Sequence, residues 1–410
     1  MEFLLRKQYL DKLIFCINKD FIKIITGIRR CGKSKLLEQF YEYLKTEYSN
    51  KAKIIFINFD NLENEKLLDR EELKKYIDKQ INKQKKVFLL LDEIQNVKNF
   101  ETLILHYYQS KNIDIYLTGS NSHMLSKQIA SRFTGRDLQI KIWPFSFAEF
   151  YAFKKEKDKK LAFNDFINFG GMPGLISLNE EKAFQSNVKS IIDSILNRDL
   201  IPYFDIKNTA LIEKLIKYVF SNIGNVFSAL NIKNYFLTNR IYKTISTQTI
   251  EKYLNYLIDG YILLKCDRYD IKGKENLKTL YKFYVTDVGM KNSLIRQKIN
   301  EGRGDNLENI VYLDLLRRHY CVNYGTFQYK DSFLKTTVIK EIDFVCQNPE
   351  TTLYIQVCDD ISKESVLNRE LEPFKSIKDG RKILLNNSEI NSMIDGVEII
   401  EIKKWLLQNE

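Results

Sequence analysis

Residues 27–34 read Gly27-Ile28-Arg29-Arg30-Cys31-Gly32-Lys33-Ser34, the pattern G-x-x-x-x-G-K-S. This stretch constrains a fold strongly, because it works only where a strand ends, the backbone curls and a helix begins. The flanks supply both. Phe21-Ile22-Lys23-Ile24-Ile25-Thr26 is a β-branched run suited to a buried strand, and Lys35-Leu36-Leu37-Glu38-Gln39-Phe40-Tyr41 carries apolar residues at helical spacing. Gly27 and Gly32 let successive N–H groups turn toward one phosphate chain, and the new helix adds its positive end. Lys33 would put a charge on the outer phosphates, and the Ser34 hydroxyl would ligate Mg²⁺. Residues Gly27, Ile28, Arg29, Arg30, Cys31, Gly32, Lys33, Ser34 and Lys35 are therefore the candidate binding residues for ATP. A glycine turn opening a helix by chance is the bland alternative, and a second motif speaks against it.

That motif is Val87-Phe88-Leu89-Leu90-Leu91-Asp92-Glu93, five apolar residues ending in two carboxylates. The run suits a strand buried on both faces, as in a parallel sheet. Asp92 would hold the Mg²⁺ water shell opposite Ser34, and Glu93 would polarise an attacking water. A third strand, Ile113-Asp114-Ile115-Tyr116-Leu117, runs into Thr118-Gly119-Ser120-Asn121. Polar residues at the carboxyl end of a neighbouring strand face the same crevice, so Asn121 is a candidate phosphate sensor; an ordinary turn is the alternative. Arg136 follows Gly135 just before a last strand, Leu138–Ile142. Its guanidinium could reach the outer phosphate of its own or a neighbour's nucleotide, or simply bind a surface carboxylate.

Strand and helix alternate up to about residue 142, which implies a parallel sheet with helices on both faces. The helices are expected over residues 1–20, 35–50, Glu65–Lys85 and Asn99–Ser110. Beyond Phe145 the pattern changes. Gly170-Gly171-Met172-Pro173-Gly174 is a sharp break, and a long helix is expected from Ser186 to Leu200. Short helices follow, with an N-cap signal at Ser246-Thr247-Gln248-Thr249. A hairpin then pairs Ile262–Cys266 with Lys282–Val285. Helices followed by a two-stranded wing fit a winged helix, and the basic loop Arg268–Lys278 could touch backbone phosphates or be a solvated tip.

The last segment carries pieces of a metal-dependent nuclease core. Glu308 lies on a helix and Asp343 on a strand. The next strand, Leu353–Cys358, places Gln356 and Cys358 where that chemistry needs a carboxylate and a lysine. Two ligands at most remain, so an inactive nuclease-like domain is the reading.

The 410 residues suffice for two to three domains. Six scattered cysteines and three histidines form no C-x-x-C or Cys/His cluster, which argues against zinc and disulfides and fits a reducing cytoplasm. No apolar run of membrane-spanning length and no signal-peptide pattern is seen. The formal net charge is +11. Residues 341–410 carry 8 Lys+Arg against 14 Asp+Glu, so the first 340 residues hold a net +17. A DNA or RNA surface belongs in that part, although abundant lysine also fits an AT-rich coding sequence.

Taken together these segments resemble the bacterial and archaeal AAA-like ATPases that carry an AAA_14 ATPase domain followed by a DUF4143 domain. The residues that carry the resemblance are Gly27–Ser34, Leu91–Gln95, Leu117–Asn121, Gly135-Arg136 with Pro144–Phe150, Gly170–Gly174, Tyr284–Gly289 and Glu341–Val345. It implies a P-loop NTPase (AAA-like) parallel-sheet domain over residues 1–155. A helical lid or linker follows at 156–225, a winged-helix-like region at 226–292, and a restriction-endonuclease-like α/β domain at 293–410. It also implies ATP hydrolysis with Mg²⁺ at Lys33, Ser34, Asp92 and Glu93, with Asn121 and Arg136 near the outer phosphate. The expected function is a Mg²⁺-dependent ATP-hydrolysing conformational switch. The alternatives are an ATP-regulated DNA- or RNA-binding protein, a nuclease, or a signalling ATPase that senses a protein at its C-terminal domain. Oligomerisation is compatible with each.

Overall fold

The computed structural model describes residues 4–81, 85–119, 135–178, 180–330 and 337–408. The chain divides into two compact units. One comprises Met1–Pro144, Ile191–Tyr203 and Asp259–Tyr261; the other comprises Phe145–Ser190, Phe204–Ile258 and Ile262–Glu410.

The first unit is built on five strands: β1 (Ile22–Thr26), β2 (Ala52–Asn58), β3 (Lys86–Asp92), β4 (Ile113–Thr118) and β5 (Asp137–Lys141). Their order is β2-β3-β4-β1-β5 and every neighbouring pair is parallel. The helices are α1 (Lys7–Phe15), α2 (Lys33–Tyr48), α3 (Arg70–Gln80) and α4 (Phe100–Tyr108). Alternate strand residues sort to opposite faces, the consequence of a period of two. Ile22, Ile24, Ile55, Ile57, Leu89, Leu91, Ile115 and Leu117 pack with Leu73 and Ile77 of α3 and Phe100, Leu103 and Ile104 of α4. On the other face Tyr116 meets Phe40 of α2 at 4.6 Å between ring centroids, and Phe88 meets Tyr48 at 5.1 Å. Cover on both faces is why β3 reads as an unbroken apolar run and β1 nearly so.

Lys23 interrupts that run in β1. It is fully buried and pairs with Asp114 of β4 at 2.6 Å, while Asn18 N donates to the second oxygen of Asp114 at 2.9 Å. Ion pairs this deep survive only when both charges find partners. Two helices are shorter than their sequence pattern. The expected helix over residues 1–20 is confined to α1. The expected Glu65–Lys85 helix is a 3₁₀ segment, Leu62–Leu68, and then α3. Asp69 divides them because its carboxylate accepts from Glu71 N and Glu72 N and so caps α3.

The second unit contains a nine-stranded mixed sheet. Its strands are β6 (Val226–Phe227), β7 (Leu263–Asp270), β8 (Glu275–Val285), β9 (Cys321–Lys330), β10 (Thr337–Gln347), β11 (Thr352–Cys358), β12 (Arg381–Asn386), β13 (Ser392–Ile394) and β14 (Val397–Glu401). They are ordered β13-β14-β12-β11-β10-β9-β7-β8-β6. The helices used below are α5 (Phe147–Lys154), α6 (Lys159–Phe169), α7 (Glu181–Ser194), α8 (Thr209–Phe220), α9 (Ala229–Thr238), α10 (Thr247–Asp259), α11 (Val288–Leu294) and α12 (Arg303–Arg317). The expected division at residues 292–293 falls inside α11, and the β7–β8 hairpin joins β9 through parallel pairing of Arg268–Asp270 with Tyr324–Thr326. Strands expected in two domains thus share one sheet. The expected Ser186–Leu200 helix ends at Ser194 and gives way to a π-helical turn, Ile195–Leu200.

The Gly170–Gly174 break and the Tyr284–Gly289 segment meet in this unit. Asp287 accepts from Gly171 N at 2.7 Å and from Met290 N at 2.9 Å. A Cβ at Gly170 would lie 2.3 Å from Asp287 Oδ1, and one at Gly289 would lie 1.9 Å from Phe169 O. These segments are therefore two halves of one tight backbone joint.

Candidate nucleotide-binding site

The loop after β1 has the conformation its glycines allow. Gly27 has φ +148° and Gly32 φ +102°, in the region that L side chains avoid. A Cβ on Gly27 would stand 2.3 Å from Ile142 O, so glycine is also required for space. Helix α2 begins at Lys33, directly after the loop. Lys33 is buried, and its ammonium donates to Gly27 O at 2.9 Å and Ile28 O at 3.1 Å. Cys31 is buried and burial pushes its thiol up, which makes it a packing residue rather than a nucleophile. Lys35 pairs with Glu38 on a half-exposed face of α2, and Arg30 is exposed. Arg29 pairs with Asp199 at 3.2 Å. Sequence reasoning missed Arg6. It is buried, stacks on Tyr9 at 4.4 Å and donates to Cys31 O at 3.1 Å, holding the loop from behind. No motif marks it.

Three strands deliver polar groups to the same edge of the sheet. Ser34 Oγ lies 3.2 Å from Asp92 Oδ1, and Thr118 Oγ1 donates to that same oxygen. The other oxygen, Asp92 Oδ2, is buried with no hydrogen-bond partner among the described residues. Burial raises the Asp92 carboxyl to about 6. Hydrogen bonds from Thr118 and Ser34 and the charge of Lys33 oppose the rise, and the neighbouring Glu93 adds to it. Glu93 sits at φ +58°, a left-handed turn that ends β3 sharply. Its N–H donates to Thr118 Oγ1 at 3.1 Å and its carboxylate accepts from Gln95 Nε2. Thr118, an open choice between a site residue and a turn in the sequence, is thus the hub that joins Asp92 to Glu93.

A fully buried carboxylate oxygen left without a partner, beside a serine hydroxyl, fits a divalent cation that takes its other ligands from phosphates and water. Among the described residues no group of three His, Cys, Asp or Glu could hold a metal by itself. Ser34 and Asp92 would hold Mg²⁺ only together with a nucleotide.

The remaining candidates divide. Asn121 and Ser120 lie outside the described residues. Arg136 is exposed and lies against Tyr108 at 5.9 Å, and its carbonyl accepts from Ile22 N at 2.8 Å. Because β5 runs parallel to β1 with Asp137 beside Ile22, Arg136 is at the amino edge of the sheet, whereas the phosphate loop leaves the carboxyl edge. The structure does not bring Arg136 to the loop of its own chain.

In the second unit Glu308 and Asp343 do meet, around a lysine that sequence reasoning missed. Lys282 of β8 is buried, 3.0 Å from Glu308 and 2.5 Å from Glu341, and Tyr284 OH donates to Glu308 at 2.5 Å. Asp343 accepts from Val357 N at 2.8 Å, and Gln356 Oε1 accepts from Asp343 N at 2.7 Å. Burial, then the Glu308 charge, push Asp343 well above the usual carboxylate range. Burial raises the Cys358 thiol to about 11. A fixed ammonium stands among these carboxylates, and the amide of Gln356 serves as a backbone partner.

The sequence model of the AAA_14 family, an AAA domain, matches residues 19–151. An uncharacterised protein of Haemophilus influenzae is 33% identical over 98% of both chains. A second relative, from Methanocaldococcus jannaschii, is 30% identical over 99% of this chain and 94% of its own. The chain belongs to the AAA_14 family. The matched residues span the phosphate loop and all five strands of the parallel sheet. Residues 160–301 match a domain of unknown function, DUF8612, where the sequence reading had named DUF4143. The Walker-type ATPase of Pyrococcus abyssi superposes with a TM-score of 0.52 at 16% identity, covering 71% of this chain and 96% of that one. At that identity the likeness is one of fold, and the fold is that of P-loop ATPases. No helix among the described residues is long and apolar enough to cross a membrane.

Proposed function

We propose that this AAA_14 protein binds ATP at residues 27–35 and hydrolyses it as a conformational switch. The observation that carries the reading is the convergence of Ser34, Thr118 and Asp92 at one sheet edge with Asp92 Oδ2 unpartnered. The loop N–H groups and the start of α2 bind the phosphate chain. Lys33 leaves the carbonyls of Gly27 and Ile28 for the outer phosphates. Glu93, oriented through its backbone bond to Thr118, takes a proton from the attacking water. Mg²⁺, when bound between Ser34 and Asp92, supplies charge neutralisation at the phosphate oxygens. Removal of Lys33 tests the binding step. Lys33→Ala should abolish the ATP-dependent rise in melting temperature seen in the wild type, and an unchanged rise would contradict the site.

A second reading has its own observation. The order α8, β6, α9, α10, β7, β8, with β6 paired to β8 at Val226 and Lys282, is compatible with a winged helix. Arg240 and Lys243 precede α10, and Gln248, Lys252 and Asn255 are exposed along it. Arg240, Lys243 and Lys252 have no ion-pair partner among the described residues, as a surface for duplex DNA would require. Anisotropy titrations of duplex DNA against salt test it. Replacing these three cations should reduce the slope of log K against log[salt] by roughly 2–3; an unchanged slope would sink this reading.

A further inference from the structure

The phosphate loop is tied to a carboxylate 170 positions away in sequence: Arg29 Nη1 lies 3.2 Å from Asp199 Oδ1. Both side chains are largely withdrawn from solvent, at 17% and 9% exposure. Asp199 lies in the π-helical turn Ile195–Leu200, between α7 and the short helix Ile201–Phe204. Such turns add a residue to a helical repeat and recur at functional sites. Residues Ile191–Tyr203 and Asp259–Tyr261 group with the parallel-sheet unit rather than with their sequence neighbours. Leu200 is fully buried, and a Cβ at Gly260 would approach it to 3.0 Å. The carboxylate is therefore held from a backbone anchored in the same unit as the loop.

A carboxylate beside an anion-binding loop needs a reason, since like charges there oppose phosphate. Arg29 is a cation within the loop, and its planar fork donates to a carboxylate or a phosphate in the same manner. We propose that Asp199 is a positioning residue of the nucleotide site. It holds Arg29 until a phosphate chain displaces it, and so sets the affinity of the loop for nucleotide. The inference rests on reading residues 27–34 as the ATP site. Nucleotide binding exchanges Arg29 from Asp199 to a phosphate oxygen and frees the turn Ile195–Leu200. The more highly charged ATP gains more from this exchange than ADP.

Fluorescence titration of the full chain with a ribose-labelled ATP analogue and its ADP counterpart, in Mg²⁺ at fixed ionic strength, tests the proposal. Asp199→Asn should tighten ATP binding about five- to ten-fold, and ADP binding less, as expected when Arg29 no longer has to give up a charge-assisted bond to a carboxylate before it meets phosphate. Asp199→Glu should retain wild-type affinity. In an Arg29→Gln background Asp199→Asn should have no effect, because the path through Arg29 is gone. In the wild type, amides of residues 195–200 should exchange faster once the ATP analogue is bound, a readout that needs no variant. Unchanged or weakened binding in a folded Asp199→Asn, or slowed or unchanged exchange in the wild type, would overturn the proposal. A wild type that binds neither nucleotide, or a Lys33→Ala variant that binds like wild type, would instead overturn the ATP reading beneath it.

Discussion

Ser34 and Asp92 stand 58 residues apart in sequence and 3.2 Å apart in space, the hydroxyl of the phosphate loop against the carboxylate that ends β3. The register of the sheet produces this contact. With β4 between them, β1 and β3 both run parallel to it and end at one edge. Thr118 at the end of β4 then completes the group.

The raised Asp92 carboxyl has two consequences with opposite sense. Without ligand, Asp92 carries a proton more readily folded than unfolded, so its ionisation costs stability as pH rises from about 4 through 6. Asp92→Asn should therefore stabilise the free protein at pH 8 by about 2–3 kcal/mol, and not at pH 4. Chemical denaturation at the two pH values checks this.

Cation binding requires the ionised form. Binding of Mg²⁺ with ATP should weaken as pH falls through about 6 and should release about half a proton from Asp92 at that pH. Calorimetry in two buffers of different ionisation enthalpy reads the release. The Asp92→Asn variant subtracts the proton contributed by the nucleotide, and an equal release in both proteins would contradict the assignment.

Gly27→Ala adds one methyl where Ile142 O stands 2.3 Å away, at a φ of +148° that alanine does not adopt. The loop must shift, so nucleotide affinity should fall at least about 100-fold, the scale of a misplaced binding group. Thermal shift with saturating ATP measures it.

Much of the first unit was legible in the sequence because burial on both faces leaves a continuous apolar run in β3 and runs in β1 and β4 that only the paired Lys23 and Asp114 interrupt. The phosphate loop was legible because Gly27 and Gly32 have no substitutes. Long-range contacts were not. Arg6, Asp199 and Lys282 carry no local pattern, and each matters through a partner 25 or more residues away. Arg136 does not reach the phosphate loop of its own chain, for a directional reason. A residue that opens a parallel strand lies at the amino edge, and the site lies at the other. The boundary expected near residue 292 failed because parallel pairing of β7 with β9 has no sequence signature.

The cluster around Lys282 is expected to be structural. Lys282→Met leaves Glu308, Glu341 and the buried Asp343 without their ammonium, and should destabilise the second unit by about 3–5 kcal/mol. Urea unfolding of the full chain should show the loss, and Mg²⁺-dependent cleavage of plasmid DNA should be absent from the wild type. Cleavage that disappears in Asp343→Ala would overturn the structural reading.

The measurement that bears most directly on the central claim is steady-state phosphate release from ATP by the wild type and by Glu93→Gln. The buried Glu93, turned by its left-handed backbone and fixed to Thr118, is assigned as the base. Its amide should lower turnover by about 100-fold or more while ATP affinity stays within about two-fold of wild type. Turnover unchanged in Glu93→Gln, with ATP bound as before, would contradict that assignment, and a wild type that releases no phosphate would contradict the ATPase itself.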